Sequence, residues 1–83
     1  MPNTDELRKY SKFTINFMRQ LADNDDILYM QMGVELNREK ELNPHYNQIV
    51  KELIELSADN TKTRTKLNIL ILYTDIKDKL NFN

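Results

Sequence analysis

The sequence predicts an all-α protein, an antiparallel up-down four-helix bundle that forms a single domain over residues 1–83. Three observations favour this fold class. Large apolar residues recur at helical spacing through most of the chain. The breaks between these segments are short and polar, and short links favour antiparallel neighbouring helices. The chain has one glycine and two prolines, too few for a β-protein that turns about every eight to twelve residues.

The first predicted helix starts after a cap at Asn3 or Thr4 and runs for about five turns to Leu21. Its apolar face consists of Leu7, Tyr10, Phe13, Phe17, Met18 and Leu21. Polar residues 22–26 end this helix, and their side chains can cap the next one.

Residues 27–42 form the second segment, for which two interpretations stay open. Apolar residues alternate with polar residues or Gly33 over residues 30–36, which is a strand pattern. The competing helix would place two apolar groups on different sides, namely Ile27, Met30 and Val34 on one and Leu28, Met32 and Leu36 on the other. The polar residues 37–41 continue helically, so the helix is favoured.

Asn43 and Pro44 begin the third helix, because proline disfavours a helical residue before it and suits the first helical position. This helix ends near Ala58. Its apolar face consists of Tyr46, Ile49, Val50, Leu53, Leu56 and Ser57, with Ile54 at the edge. A short polar link then leads to the fourth helix, residues 62–82.

The fourth helix is apolar on two sides. One stripe consists of Leu67, Leu70 and Ile71, and the second of Ile69, Leu72, Tyr73, Ile76 and Leu80. A bundle core needs one stripe, so the second must be buried within the monomer or covered by a partner, and both alternatives stay open. A basic cluster of Lys62, Arg64 and Lys66 lies beside it, suited to phosphates or an anionic membrane surface, although solvated surface charge explains it more simply. The candidate partner-binding residues are Lys62, Arg64, Lys66, Ile69, Leu72, Ile76 and Leu80.

Composition and motifs offer little to catalysis. The chain has no cysteine and one histidine, which excludes disulfides and leaves no nucleophile–base pair. His45 is predicted to be exposed beside a helix cap. The acidic residues Asp23, Asp25 and Asp26 lack the spacing, central glycine and trailing glutamate of a calcium loop, so capping is favoured. We expect no catalytic, metal or cofactor-binding residues, and a protein that is not an enzyme.

Partners and location follow from charge and hydropathy. A net charge of −1 argues against a nucleic-acid partner, because such binding needs many phosphate contacts. Residues 1–10 lack the apolar run of a signal peptide, and no apolar stretch approaches the ~20 residues of a transmembrane helix. A cytoplasmic protein is therefore expected, with peripheral membrane contact left open.

Two further patterns have simpler structural explanations. Methionines suit adaptable binding grooves, but core packing is favoured for Met18, Met30 and Met32. Gly33 could mark the turn of a helix-turn-helix. Tyr29 then stands where a small residue is needed and Glu39 where an apolar one is needed, so this motif is disfavoured.

Residues 27–80 carry a succession of features that resembles a known family. A helix ending in charged residues is followed by NPHYNQIVKELIEL, a polar break and TKLNILILYTDIKDKL. The last segment contains the cadence L-x-x-L-x-L-Y-x-x-I between Leu67 and Ile76. In helix order and cadence, the chain resembles the pediocin-like bacteriocin immunity proteins.

This resemblance implies a four-helix bundle in the cytosol that protects a producing bacterium from its own membrane-permeabilising peptide. It implies binding, at the inner membrane surface, to a complex of the bacteriocin with its sugar-transport receptor. Because the C-terminal half carries much of the specificity in that family, the resemblance points to Lys62, Arg64, Lys66 and the exposed residues of the last helix. The alternative is a small phage or plasmid regulator acting as a helical homodimer that binds a protein or, less readily, DNA.

Overall fold

A computed structural model describes residues 9–80, except for the side chain of Asp78. These residues form four α-helices: α1 (Lys12–Leu21), α2 (Asp26–Leu42), α3 (Tyr46–Ser57) and α4 (Thr61–Leu80). The described residues contain no strand. The all-α four-helix fold is therefore confirmed, as is the helical interpretation of residues 27–42. The strand alternative for residues 30–36 is wrong.

The first helix begins later than predicted. Ser11 has an extended backbone (φ −66°, ψ 155°) and is the N-cap of α1, where its Oγ accepts a hydrogen bond from the Thr14 backbone N–H at 3.1 Å. The Glu52 carboxylate of α3 accepts the Ser11 N–H at 3.1 Å. A continuous helix through residues 9–11 is therefore wrong, and the predicted cap and first apolar residue, at positions 3–7, lie outside the described residues.

The third helix also starts later, at Tyr46 rather than Pro44. The Asn43 side chain, which was expected to cap the helix, instead accepts a hydrogen bond from the backbone N–H of His45 at 2.8 Å. This local bond closes a turn before the helix begins.

Each helix contributes two buried apolar side chains to a single core. They are Phe17 and Leu21 from α1, Met32 and Leu36 from α2, Ile49 and Leu53 from α3, and Leu67 and Leu70 from α4. Burial of one stripe from every helix is the main stabilising contribution to a chain without disulfides.

Two contacts fix the direction of α2 relative to α4. The Tyr29 hydroxyl donates to the Lys66 carbonyl at 2.8 Å, and the Lys40 ammonium pairs with the Asp75 carboxylate at 2.8 Å. Residue numbers rise together in these pairs, so α2 and α4 run parallel. A bundle with an up-down chain order has this relation between its second and fourth helices. The up-down order of all four helices stays a prediction.

Candidate functional site: an apolar face on α2 and α4

The second apolar stripe of α4 lies outside the core. Its members are Ile69, Leu72, Tyr73, Ile76 and Leu80, and their exposed fractions range from 44% to 74%. On the other side of the helix, Leu67 and Leu70 are buried and Ile71 packs at the core's edge. Burial of the second stripe within the monomer is therefore wrong.

Helix α2 adds a second row of exposed apolar side chains beside this stripe. Ile27 and Met30 are each 73% exposed and Val34 is 53% exposed, at spacings of three and four residues that place them on one side of the helix. Core packing is thus confirmed for Met32, which is 1% exposed, and for Met18 at the core's edge, but it is wrong for Met30. The sequence signal was the pair of apolar groups on opposite sides of α2, only one of which can face the core.

The two rows border a groove of about 500 Å³ between α2 and α4. It is lined from α2 by Ile27, Met30, Gly33 and Val34 and from α4 by Ile69, Leu70 and Tyr73. A Cβ atom at Gly33 would lie 3.4 Å from Leu70 Cδ2 and 3.5 Å from Tyr73 Cδ2. The backbone of α2 at Gly33 therefore packs closely against α4.

We call this surface the α2–α4 face. It consists of Ile27, Met30 and Val34 from α2 and Ile69, Leu72, Tyr73, Ile76 and Leu80 from α4. Exposed apolar patches of this extent are characteristic of binding surfaces, because a contiguous apolar area gains free energy when it is removed from water. Non-covalent binding of an apolar partner is what this arrangement can do chemically.

The structure separates the three basic residues at the start of α4. Lys62 donates from Nζ to Asn24 Oδ1 at 3.2 Å, whereas Arg64 donates from Nη1 to the Ala58 carbonyl at 3.4 Å on another side of the helix. Both side chains are exposed. Lys62 lies near Ile69 at one end of the α2–α4 face, and Arg64 does not border it.

Lys66 is held by the protein itself. Its Nζ donates to the carbonyls of Leu21 at 2.7 Å and Asp23 at 2.9 Å and lies 5.5 Å from the centre of the Tyr29 ring. A cation in the first turns of α4 is unfavourable for that helix, but here it neutralises the carboxyl end of α1, where a positive charge is favourable. Burial raises the pKa of the Tyr29 hydroxyl, which stays protonated and donates to Lys66 O.

His45 and the acidic residues Asp23, Asp25 and Asp26 are not part of the α2–α4 face. His45 is exposed at the N-cap position of α3, and its side chain makes no capping hydrogen bond. The Asp25 carboxylate accepts from the Leu28 N–H at 3.0 Å, which confirms its capping role. Within residues 9–80, no three His, Cys, Asp or Glu side chains are placed to hold a metal ion.

No helix in the described part of the chain combines the length and the apolar character needed to cross a bilayer. Comparisons with models of protein families, with curated proteins and with solved structures found no match to this chain.

Proposed function

We propose that this chain is a non-enzymatic bacteriocin immunity protein that acts by binding a partner through the α2–α4 face. The partner is a membrane receptor–bacteriocin complex, met at the inner surface of the producing cell's membrane. The exposure of the second stripe of α4 is the observation that carries the binding role. The sequence resemblance over residues 27–80 supplies the biological role.

The energetics of the face support binding. Every core position that the fold needs on α4 is filled by the first stripe, so the second stripe is not required for folding. Burying a half-exposed leucine or isoleucine stabilises a complex by about 1 kcal/mol. Burying all eight side chains of the face would therefore contribute about 8 kcal/mol before the costs of association are subtracted. Lys62 at one end could add a charge contact to an anionic group on the partner or on the lipid surface.

A protection assay tests this function. The chain is expressed in a sensitive lactic acid bacterium, which is then challenged with a panel of pediocin-like bacteriocins. We expect the minimal inhibitory concentration of one or a few of them to rise at least about tenfold. A protein that accumulates and stays folded in the cell but protects against none of the panel would contradict the immunity function.

A matched pair of variants connects protection to the face. Ile76 on α4 is 47% exposed and Ile54 on α3 is 46% exposed, so a glutamate at either position has a similar effect on folding. We expect Ile76→Glu to lose protection and Ile54→Glu to keep it. Equal protection by the two variants would show that binding uses another surface.

A second candidate is a small phage or plasmid regulator that binds a protein as a helical homodimer. The same exposed face favours it, since a dimer would cover the face. Such a protein would give no protection in the assay, and its partner would be recovered from the cell in which it is expressed.

A further inference from the structure

We propose that in the free protein the α2–α4 face is covered by a second copy of this chain, packed antiparallel about a two-fold axis. Two properties of the face carry this proposal: its area and the parallel direction of its two helices. It goes beyond the proposed function, because it concerns the protein before any partner is bound. Partner binding at the same face would have to displace the second copy.

The area of the face matches what a stable dimer needs. The eight apolar side chains of the face each expose 44% or more of their surface. At roughly 100 Å² apiece they offer about 800 Å², the amount that each partner contributes to an interface of standard size. An apolar area this large exceeds the patches that monomeric proteins usually leave exposed.

Each end of the face carries charges of both signs. At the start of α2, Asp25 is the N-cap and Asp26 lies in the first turn, and Lys62 lies near both. At the other end, Glu35 and Arg38 lie beside Val34. Because α2 and α4 run parallel, a two-fold axis across the face would place Asp26 of one copy toward Arg38 of the other.

Helix dipoles favour an antiparallel pair. Both α2 and α4 start at the same end of the face and finish at the other, because they run parallel. Antiparallel packing would bring the positive amino ends of one copy's helices near the negative carboxyl ends of the other's, whereas parallel packing would bring like ends together.

Sedimentation equilibrium of the purified full chain tests the proposal. The monomer mass is 9.9 kDa, and we expect the average mass to approach twice this value as the concentration rises from about 1 to 300 µM at low salt. Ile76→Glu should weaken dimerisation at least about tenfold, and Ile54→Glu should leave it unchanged. A chain that is folded by circular dichroism but stays at the monomer mass throughout would overturn the proposal, as would equal dimerisation of the two variants.

A charge exchange tests the antiparallel arrangement. Asp26→Lys alone and Arg38→Glu alone would each place like charges together and weaken dimerisation about tenfold. The double variant restores opposite charges and should dimerise within about threefold of the wild type. If the double variant folds normally but does not recover dimerisation, the antiparallel arrangement is overturned.

The dimer and the proposed function fail separately. Protection in cells by a protein that is monomeric in solution would overturn the dimer alone. A dimer that protects against none of the panel would leave the dimer standing and contradict the immunity function.

Discussion

Replacing Gly33 by alanine is expected to stabilise the fold, although this glycine is buried where α2 packs against α4. None of the described residues has a positive φ, so alanine fits the backbone. It removes a helix penalty of about 1 kcal/mol, and its methyl group would be largely buried. The Cβ would lie 3.4 Å from Leu70 Cδ2, at the short end of ordinary contact distances, and this offsets part of the gain. We expect the free energy of unfolding to rise by about 1 kcal/mol.

Urea denaturation followed by circular dichroism measures this change. A chain of this size has an m value of about 1 kcal/mol/M, so the midpoint should rise by about 1 M. The control is Gly33→Val, whose branched side chain would push against Leu70 and Tyr73 and should destabilise the protein by about 1–3 kcal/mol. If Gly33→Ala lowered stability by more than about 0.5 kcal/mol, the helices would approach each other more closely than the contact distances imply, and the reasoning would be refuted.

Three further changes test other parts of the structure, each by the free energy of unfolding in urea. Lys66→Met removes two charged hydrogen bonds to the end of α1 and should cost about 1–2 kcal/mol, whereas Lys62→Met should be nearly neutral. Asn37→Leu should stabilise the folded protein by about 1 kcal/mol. The reason is that Asn37 is 6% exposed and its Oδ1 is buried without a hydrogen-bond partner. A neutral or destabilising effect would contradict this prediction. Burial raises the pKa of Glu52, but hydrogen bonds from Thr14, the Ser11 backbone and other donors outweigh it and lower the pKa below its ordinary value. The folded carboxylate therefore stabilises the protein above its unfolded pKa, and this contribution is lost as pH falls through the unfolded and then the folded pKa. The stability difference between wild type and Glu52→Gln should shrink over that range, and a constant difference would show that Glu52 plays no part.

The sequence predicted a helix end well where the residues that determine it are neighbours in the sequence. The acidic residues after Leu21 cap α2 through Asp25, and the Asn43–Pro44 break separates α2 from α3 to within two residues. The start of α1 could not be predicted in this way. The N-cap there is Ser11, and its N–H is held by Glu52, which is 41 residues away in the sequence.

The binding face was only half predictable, for a related reason. The two apolar stripes of α4 left open whether the second stripe would be buried within the monomer or covered by a partner, and the structure leaves it exposed. The pattern of α2 was equally two-sided, but no local rule says which side faces a core. That choice depends on where α4 packs, so Met30 could not be distinguished from Met32 before the fold was known.

The role of Lys66 shows the same limit. Its place in the basic cluster beside the second stripe suggested a binding role, and a cation near the amino end of α4 is unfavourable for that helix. The carbonyls that it contacts belong to Leu21 and Asp23, at the end of another helix. Charges that look misplaced within one element can therefore be satisfied by its neighbours, and only tertiary structure reveals this.

The central claim is that the α2–α4 face is covered and shielded from water when the protein functions. The rate of thiol alkylation at a cysteine placed in the face measures this most directly. The chain has no cysteine, so Ile76→Cys and Ile54→Cys each provide a single probe at positions of nearly equal exposure, 47% and 46%. We predict that Ile76→Cys reacts at least about fivefold more slowly in bacteriocin-challenged cells than in dilute purified protein, relative to Ile54→Cys. Equal relative rates in the two settings would mean that the face stays exposed, and would contradict the claim.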